Sequence, residues 1–208
     1  MKAHRVADGL WTWTAPHPSW DETYDWPEAV GCVYYEAPDA VVVIDPLLPR
    51  GEEDEFLQAL DRDVERLGLP VAVLLTAPWH SRSADELARR YGTVVWAHEH
   101  GRGRLPFPSR ADALPHGIEL VVPDGPDEGQ VAFFIRPHRA LVVAEIFAGE
   151  RGGLRVCPSP ALRNRAAFEA SLRRLLELPI EHDLVSHGEP VLGDGRAAVA
   201  RALASASG

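Results

Sequence analysis

Apolar and polar positions along the chain define most of its elements. Residues 10–14 (Leu-Trp-Thr-Trp-Thr) alternate at period two, the mark of a half-buried strand. Residues 15–29 contain Pro16, His17, Pro18, Trp20, Tyr24, Trp26 and Pro27, and read as a loop because proline donates nothing to a ladder. Val30–Glu36 and Ala40–Asp45 are apolar runs joined by Ala37-Pro38-Asp39, the spacing of a β-hairpin. Residues 52–67 place Phe56, Leu60, Val64 and Leu67 on one helical face, and Gly68 stops the helix. Val71–Thr76 is apolar almost throughout, which predicts a strand buried on both faces. Ser83-Ala-Asp-Glu86 has the spacing of a capping box. The helix it opens presents Ala84, Leu87, Ala88 and Tyr91 and ends at Gly92, before a strand at Thr93–Ala97.

The second half repeats the scheme. Residues 98–118 form a polar loop, and strands are predicted at 119–122, 130–135 and 140–146, the last two a hairpin about Arg136-Pro137-His138-Arg139. Residues 165–177 predict a helix with Phe168, Leu172, Leu175 and Leu176 inward. Asp183–Ser186 is a short strand, and Asp194 precedes an Ala-rich helix whose tail, Ala204–Gly208, is expected to fray. Two β-rich halves, each ending in helices, predict an α+β four-layer αββα sandwich spanning residues 1–208 as a single domain.

Composition narrows the function classes. The 208 residues are 46% hydrophobic, enough for a sizeable core. The net charge of −10, spread along the chain, argues against nucleic-acid and anionic-membrane partners, which need clustered Lys and Arg. Arg102, Arg104 and Arg110 do cluster, but in one loop, where a solvated face accounts for them. Asp8 and Gly9 interrupt the start before any signal-peptide core forms, and no apolar run approaches the ~18 residues of a membrane span; a cytoplasmic location is expected. Cys32 and Cys157 form no CxxC pair, which excludes a zinc ribbon, and Cys32 reads as a buried thiol. No serine nucleophile elbow appears, and Gly101-Arg-Gly-Arg lacks the following helix a phosphate loop needs.

Five landmarks in order resemble the metallo-β-lactamase fold family, over roughly residues 5–203. They are Val41-Val-Val-Ile-Asp45; Val73-Leu-Leu-Thr76; Ala84–Gly92 with Val94–His98; Gln130–Ile135 with Arg139–Phe147; and Val185-Ser-His187-Gly-Glu-Pro190. The resemblance implies a metallohydrolase scaffold whose metal turn reads Thr-His-x-His-x-Asp-His. With Thr76 aligned to that threonine, Ala77, Trp79, Ser81 and Arg82 stand at the His, His, Asp and His positions. His80 stands in for the second histidine only with a one-residue slip. The family's Gly-His-x-x-Gly turn falls near Gly125–Gly129, which has no histidine; Glu145 replaces the bridging aspartate; and His187 stands where the family's last histidine does.

A dinuclear zinc site needs about three protein ligands per ion, and a protonated guanidinium offers no lone pair. The resemblance therefore implies a degenerate site, at most mononuclear, with either no cofactor or a single Zn or Fe on His80, Glu145 and His187. The alternative is a relic pocket in which the histidines hydrogen-bond to Glu145 and Asp45. Asp45 reads either as the acceptor of a ligand histidine's N–H or as a cap of the turn before Pro46. Asp45, Trp79, His80, Arg82, Glu145 and His187 make up the candidate pocket, with no catalytic residue assigned. His17 is a candidate to reach it, His98 and His100 read as exposed loop residues, and His138 as a solvent-facing hairpin tip. Trp11, Trp13, Trp20, Tyr24, Trp26 and Trp79 are expected either to line one apolar cleft or to pack the N-terminal loop over a vacated site.

Two functions follow. One is a hydrolase-like protein with weak or lost activity on an ester, thioester or lactone. The other is a non-catalytic protein that binds a small molecule or partner in the aromatic cleft. A homodimer is compatible with either.

Overall fold

A computed structural model describes residues 2–124, 129–157 and 165–206. The first sheet takes its strands in chain order: β1 (Lys2–Ala7), β2 (Leu10–Pro16), β3 (Ala29–Glu36), β4 (Val41–Ile44), β5 (Val71–Leu74), β6 (Val95–Trp96) and β7 (Ser109–Arg110). The second runs β14–β13–β10–β9–β8, from β8 (Ile118–Val121), β9 (Ala132–Ile135), β10 (Ala140–Val143), β13 (His182–Val185) and β14 (Val191–Leu192). Between them in sequence, β11 (Phe147–Glu150) and β12 (Gly153–Val156) form a separate hairpin. The helices are α1 (Glu53–Leu67), α2 (Ala84–Tyr91), α3 (Arg165–Arg173) and α4 (Gly195–Ala206).

Strand pleating divides the core into layers. Val41 and Val43 of β4, with Val71 and Val73 of β5, pack against Leu60 of α1 and Ala84, Leu87 and Ala88 of α2. Their alternates Val42, Ile44, Ala72 and Leu74 face Phe133, Ile135 and Val142 of the second sheet. The far face of that sheet (Phe134, Leu141, Val143) packs against Phe168 and Leu172 of α3 and Val199 and Leu203 of α4. This is the expected four-layer αββα sandwich. It explains why β4 and β5 read as continuous apolar runs: both faces are covered.

The departures have local causes. Ser83 is not a capping box: its hydroxyl makes no cap bond and instead accepts from Leu48 N–H at 3.0 Å, tying α2 back to the segment after β4. β1 escapes period-two reading because it is an edge strand with polar residues. The predicted strand 140–146 ends at Val143, and the chain turns before β11. The last turn of the predicted helix 165–177 tightens to a 3₁₀ turn at Arg174–Glu177. α4 runs on through Ala206, past the start of the expected frayed tail. His138 is half-buried, its ring edge-on to Tyr35 at 5.4 Å, rather than solvent-facing. Among the described residues, no helix is long and apolar enough to cross a membrane.

β4 and β5 are parallel, as are β10 and β13, and side chains beyond their carboxyl ends come into contact, so all four strands open toward one end of the sandwich. The sheets meet there. Gly31 N–H donates to Ser186 carbonyl (2.7 Å), Val30 bridges His187, and Val131 N–H donates to Thr76 carbonyl (2.7 Å). A Cβ on Gly31 would run into the Val185 carbonyl, so only glycine permits this approach.

One core group is out of place. Asp183 of β13 is fully buried beneath Gly195, the first residue of α4, and its carboxylate oxygens have no hydrogen-bond partner among the described residues. Burial pushes its pKa from 3.8 up to about 7. A raised folded-state pKa contributes stability that is full below about pH 4 and is lost as pH rises through about 7. At ~1.36 kcal/mol per pKa unit, the loss is at most roughly 4 kcal/mol. Urea denaturation should therefore show wild-type stability falling between about pH 4 and 7 and levelling off above, while Asp183→Asn stays nearly flat; parallel profiles would rule out a neutral buried Asp183.

Candidate metal centre

The site is built at the strand ends just described. Asp45 follows β4 with φ +50° and is buried. Its Oδ1 accepts from Thr76 N–H (2.8 Å), and its Oδ2 accepts from the Thr76 hydroxyl and faces His80 Nδ1 at 2.9 Å. Asp45 thus does more than cap the turn before Pro46: it clamps the end of β5 and orients the imidazole. His80 closes a 3₁₀ turn, Pro78–His80, in which Pro78 supplies the preset φ. Its Nε2 points at Glu145 Oε1, 2.9 Å away.

Glu145 lies beyond β10. With its carboxamide oxygen toward the donors it faces, buried Gln130 accepts from Glu145 N–H (3.0 Å) and Ile146 N–H (3.3 Å), fixing that backbone. Glu145 Oε2 takes the Trp79 indole N–H at 2.7 Å, and Oε1 lies 3.4 Å from His187 Nε2. His187 follows β13. Its Nδ1 is buried with no partner among the described residues, and its ring packs on Trp26 at 4.6 Å between centroids.

The charges interlock. Burial opposes ionisation of Glu145, but His80 and His187 outweigh it and hold the carboxyl well below the usual carboxylate range. Burial and then Arg82 act against a charged His80, yet Asp45 and Glu145 prevail, and its pKa rises. His187 is shifted down, by burial first, against the pull of Glu145. His17 is also shifted down, by burial and then by Arg82, His80 and His187. It stands on the rim, separated from His187 by Trp26, whose ring it meets edge-on at 5.5 Å.

Arg82, with φ +33°, turns away from the carboxylate. It donates to the carbonyls of Gly31 (3.0 Å) and Asp45 (2.9 Å) and to Ser186 Oγ (2.7 Å), so one guanidinium joins β3, β4 and β13. Three non-glycine residues have positive φ among the described residues, and two of them, Asp45 and Arg82, lie here; contacts from several elements hold this backbone in place.

The donor atoms of His80, Glu145 and His187 all lie within 4.8 Å of one another. Ligands about 2.1 Å from a tetrahedral ion sit ~3.4 Å apart, so the set needs only small adjustments to hold one ion. Neither Trp79 nor Arg82 is bonded between the two imidazoles: Trp79 is on the other carboxylate oxygen, and Arg82 is on backbone carbonyls and Ser186. His98 and His100 stack on each other at 5.0 Å; His100 is exposed, whereas His98 is half-buried rather than exposed. Residues 125–128, most of the expected Gly-His-x-x-Gly position, lie outside the described residues.

Sequence reasoning passed over Gln130, Ser186 and Gly31, whereas Trp26 is among the aromatics it singles out. Gln130 alone left a signal, a polar residue opening an apolar strand run. Of the two expectations for the aromatics, a single cleft and packing over the site, neither holds for all: Trp26 and Trp79 border the histidines, with Tyr24 stacked on Trp26, while Trp11 and Trp13 line a separate cavity against α1.

No family model matches the chain, and no curated protein matches it by sequence. Solved structures match over nearly its whole length. A metallo-β-lactamase from Erythrobacter litoralis, with β-mercaptoethanol in its active site, is 17% identical at TM-score 0.72, covering 99% of this chain and 95% of that one. A metallo-β-lactamase from Pontibacter korlensis is 15% identical at TM-score 0.70, covering 98% of each. TTHA1623, solved in a di-iron-bound form, is 25% identical at TM-score 0.62, covering 85% of this chain and 94% of that one. The chain has the metallo-β-lactamase fold.

Removing the Arg82 guanidinium leaves Gly31 and Asp45 carbonyls and Ser186 short of a donor. Arg82→Ala should cost about 2–4 kcal/mol in chemical denaturation. Arg82→Lys should recover little of it, because one ammonium does not reproduce the planar fork. A cost below ~0.5 kcal/mol would show that Arg82 is not the tie between these strands.

Proposed function

We propose that this metallo-β-lactamase-fold chain is a hydrolase-like protein with a degenerate, mononuclear metal site. His80 Nε2, Glu145 Oε1 and His187 Nε2 would hold one Zn²⁺ or Fe²⁺. The observation that carries this reading is the convergence of two imidazole nitrogens and a carboxylate oxygen, a donor set both ions accept. Such an ion, when bound, supplies Lewis acidity and lowers the pKa of water toward ~7, the chemistry of ester, thioester or lactone hydrolysis.

The chain's own residues support this arrangement. Asp45 accepts the His80 Nδ1 proton and so directs the Nε2 lone pair to the ion. Trp79 occupies Glu145 Oε2 and leaves Oε1 for coordination. Trp26 covers His187 and limits water at that ligand. Arg82 stands where the aligned family motif has its last histidine and, bonded to the Gly31 and Asp45 carbonyls and Ser186, offers no lone pair, which favours one ion over two and weak or lost hydrolysis.

A second reading has its own observation. Both His80 nitrogens already face carboxylates, so His80 is satisfied in a buried ion-pair network without metal. This favours the alternative of a non-catalytic protein that binds a small molecule or partner.

Elemental analysis of untagged protein purified without chelator decides between the two readings. We expect about one Zn or Fe per chain, lost in His187→Ala and in Glu145→Gln. No stoichiometric metal after incubation with excess Zn²⁺ and Fe²⁺ leaves only the second reading.

A further inference from the structure

A cavity of about 250 Å³ lies where α1 crosses the outer face of β1–β3, and it shares no residue with the His80–Glu145–His187 cluster. Its principal walls are Trp11, Trp13, Tyr34, Phe56, Leu60 and Asp63. The aromatic rings crowd together, with Trp13 and Phe56 tilted at 5.1 Å between centroids. Their polar groups are largely committed elsewhere: the Trp13 N–H donates to the Leu47 carbonyl at 3.0 Å, and the Tyr34 hydroxyl donates to Glu36 Oε1 at 3.1 Å. The walls therefore offer an occupant mainly ring surface and few hydrogen bonds.

The one charged wall residue is Asp63. Its carboxylate and that of Glu36 share a single cation, Arg66, and Arg5 is paired with Asp8, so these five side chains carry one negative charge in excess. The chain as a whole carries a net charge of −10. Trp11 already draws a cation, the Arg5 guanidinium, 5.9 Å from its ring centre. Among the described residues, no cation stands over Trp13, Tyr34 or Phe56. A primary ammonium would lose its hydration in such a cavity for one carboxylate. A quaternary ammonium donates no hydrogen bonds, and the faces of aromatic rings attract it.

We infer that this cavity binds a small quaternary or alkylated ammonium compound, seated on Trp11, Trp13, Tyr34 and Phe56 with its charge toward Asp63. The site is independent of the metal centre and remains whether or not the protein holds an ion.

Isothermal titration of the full chain with choline and with its neutral carbon isostere, 3,3-dimethylbutan-1-ol, separates charge from shape. Choline should bind at least about tenfold more tightly than the alcohol. Trp11→Ala removes a side chain that is 38% exposed and should leave the fold intact while weakening choline about fivefold. Asp63→Asn, also at the surface, should weaken choline binding without affecting the alcohol. Equal affinity for the two probes would reduce the site to an apolar cavity. No choline binding, or binding indifferent to both substitutions, would overturn the inference.

Discussion

The Asp45 carboxylate anchors the site end of the fold. It is buried at the end of β4 and bonded on both oxygens: Oδ1 to the Thr76 amide, Oδ2 to the Thr76 hydroxyl and the His80 ring. A buried carboxylate is tolerable only when its oxygens are satisfied, so the end of β5 and the His80 ring are both constrained by the same group. The backbone carbonyl of Asp45 in turn holds Arg82, which reaches Gly31 and Ser186 across the two sheets. Without this carboxylate, neither the His80 ring nor the end of β5 would keep its present anchor.

Charge balance at this end is achieved by the chain's own side chains. Asp45 and Glu145 face His80 between them, and His80 with His187 keeps Glu145 ionised despite its burial. Asp183 is the contrast. It is buried as deeply, lacks a partner among the described residues, and is pushed toward its neutral form. The difference is position: Asp45 stands where strand ends expose amides and side-chain donors, whereas Asp183 lies inside a strand whose amides are committed to the ladder.

The aromatic residues of the N-terminal third divide by register. Trp11 and Trp13 are two apart on β2 and share the face toward α1. Trp26, within the proline-rich loop, is placed by its indole against His187 and by its carbonyl, which accepts from Trp20 at 2.8 Å. One composition bias therefore supports two unrelated surfaces.

Sequence pattern alone determined the layers. Period-two and continuous apolar runs, the helical faces of residues 52–67 and 84–91, and the stops at Gly68 and Gly92 depend on local sterics and on which face water leaves, both encoded within short windows. The resemblance to the metallo-β-lactamase fold family, carried by landmarks in order along the chain, also marked Asp45, His80, Glu145 and His187 as candidates. Only the tertiary structure decided which atoms meet. Ser83 has the spacing of a cap but bonds Leu48, and Arg82 could have faced Glu145 but turned to three acceptors on other strands. Whether His80 reaches Glu145 depends on an approach of two sheets separated by 65 residues, secured by Gly31 against Ser186. Hydrogen bonds between distant segments depend on ångström-scale placement that the whole core sets, and no local pattern contains it.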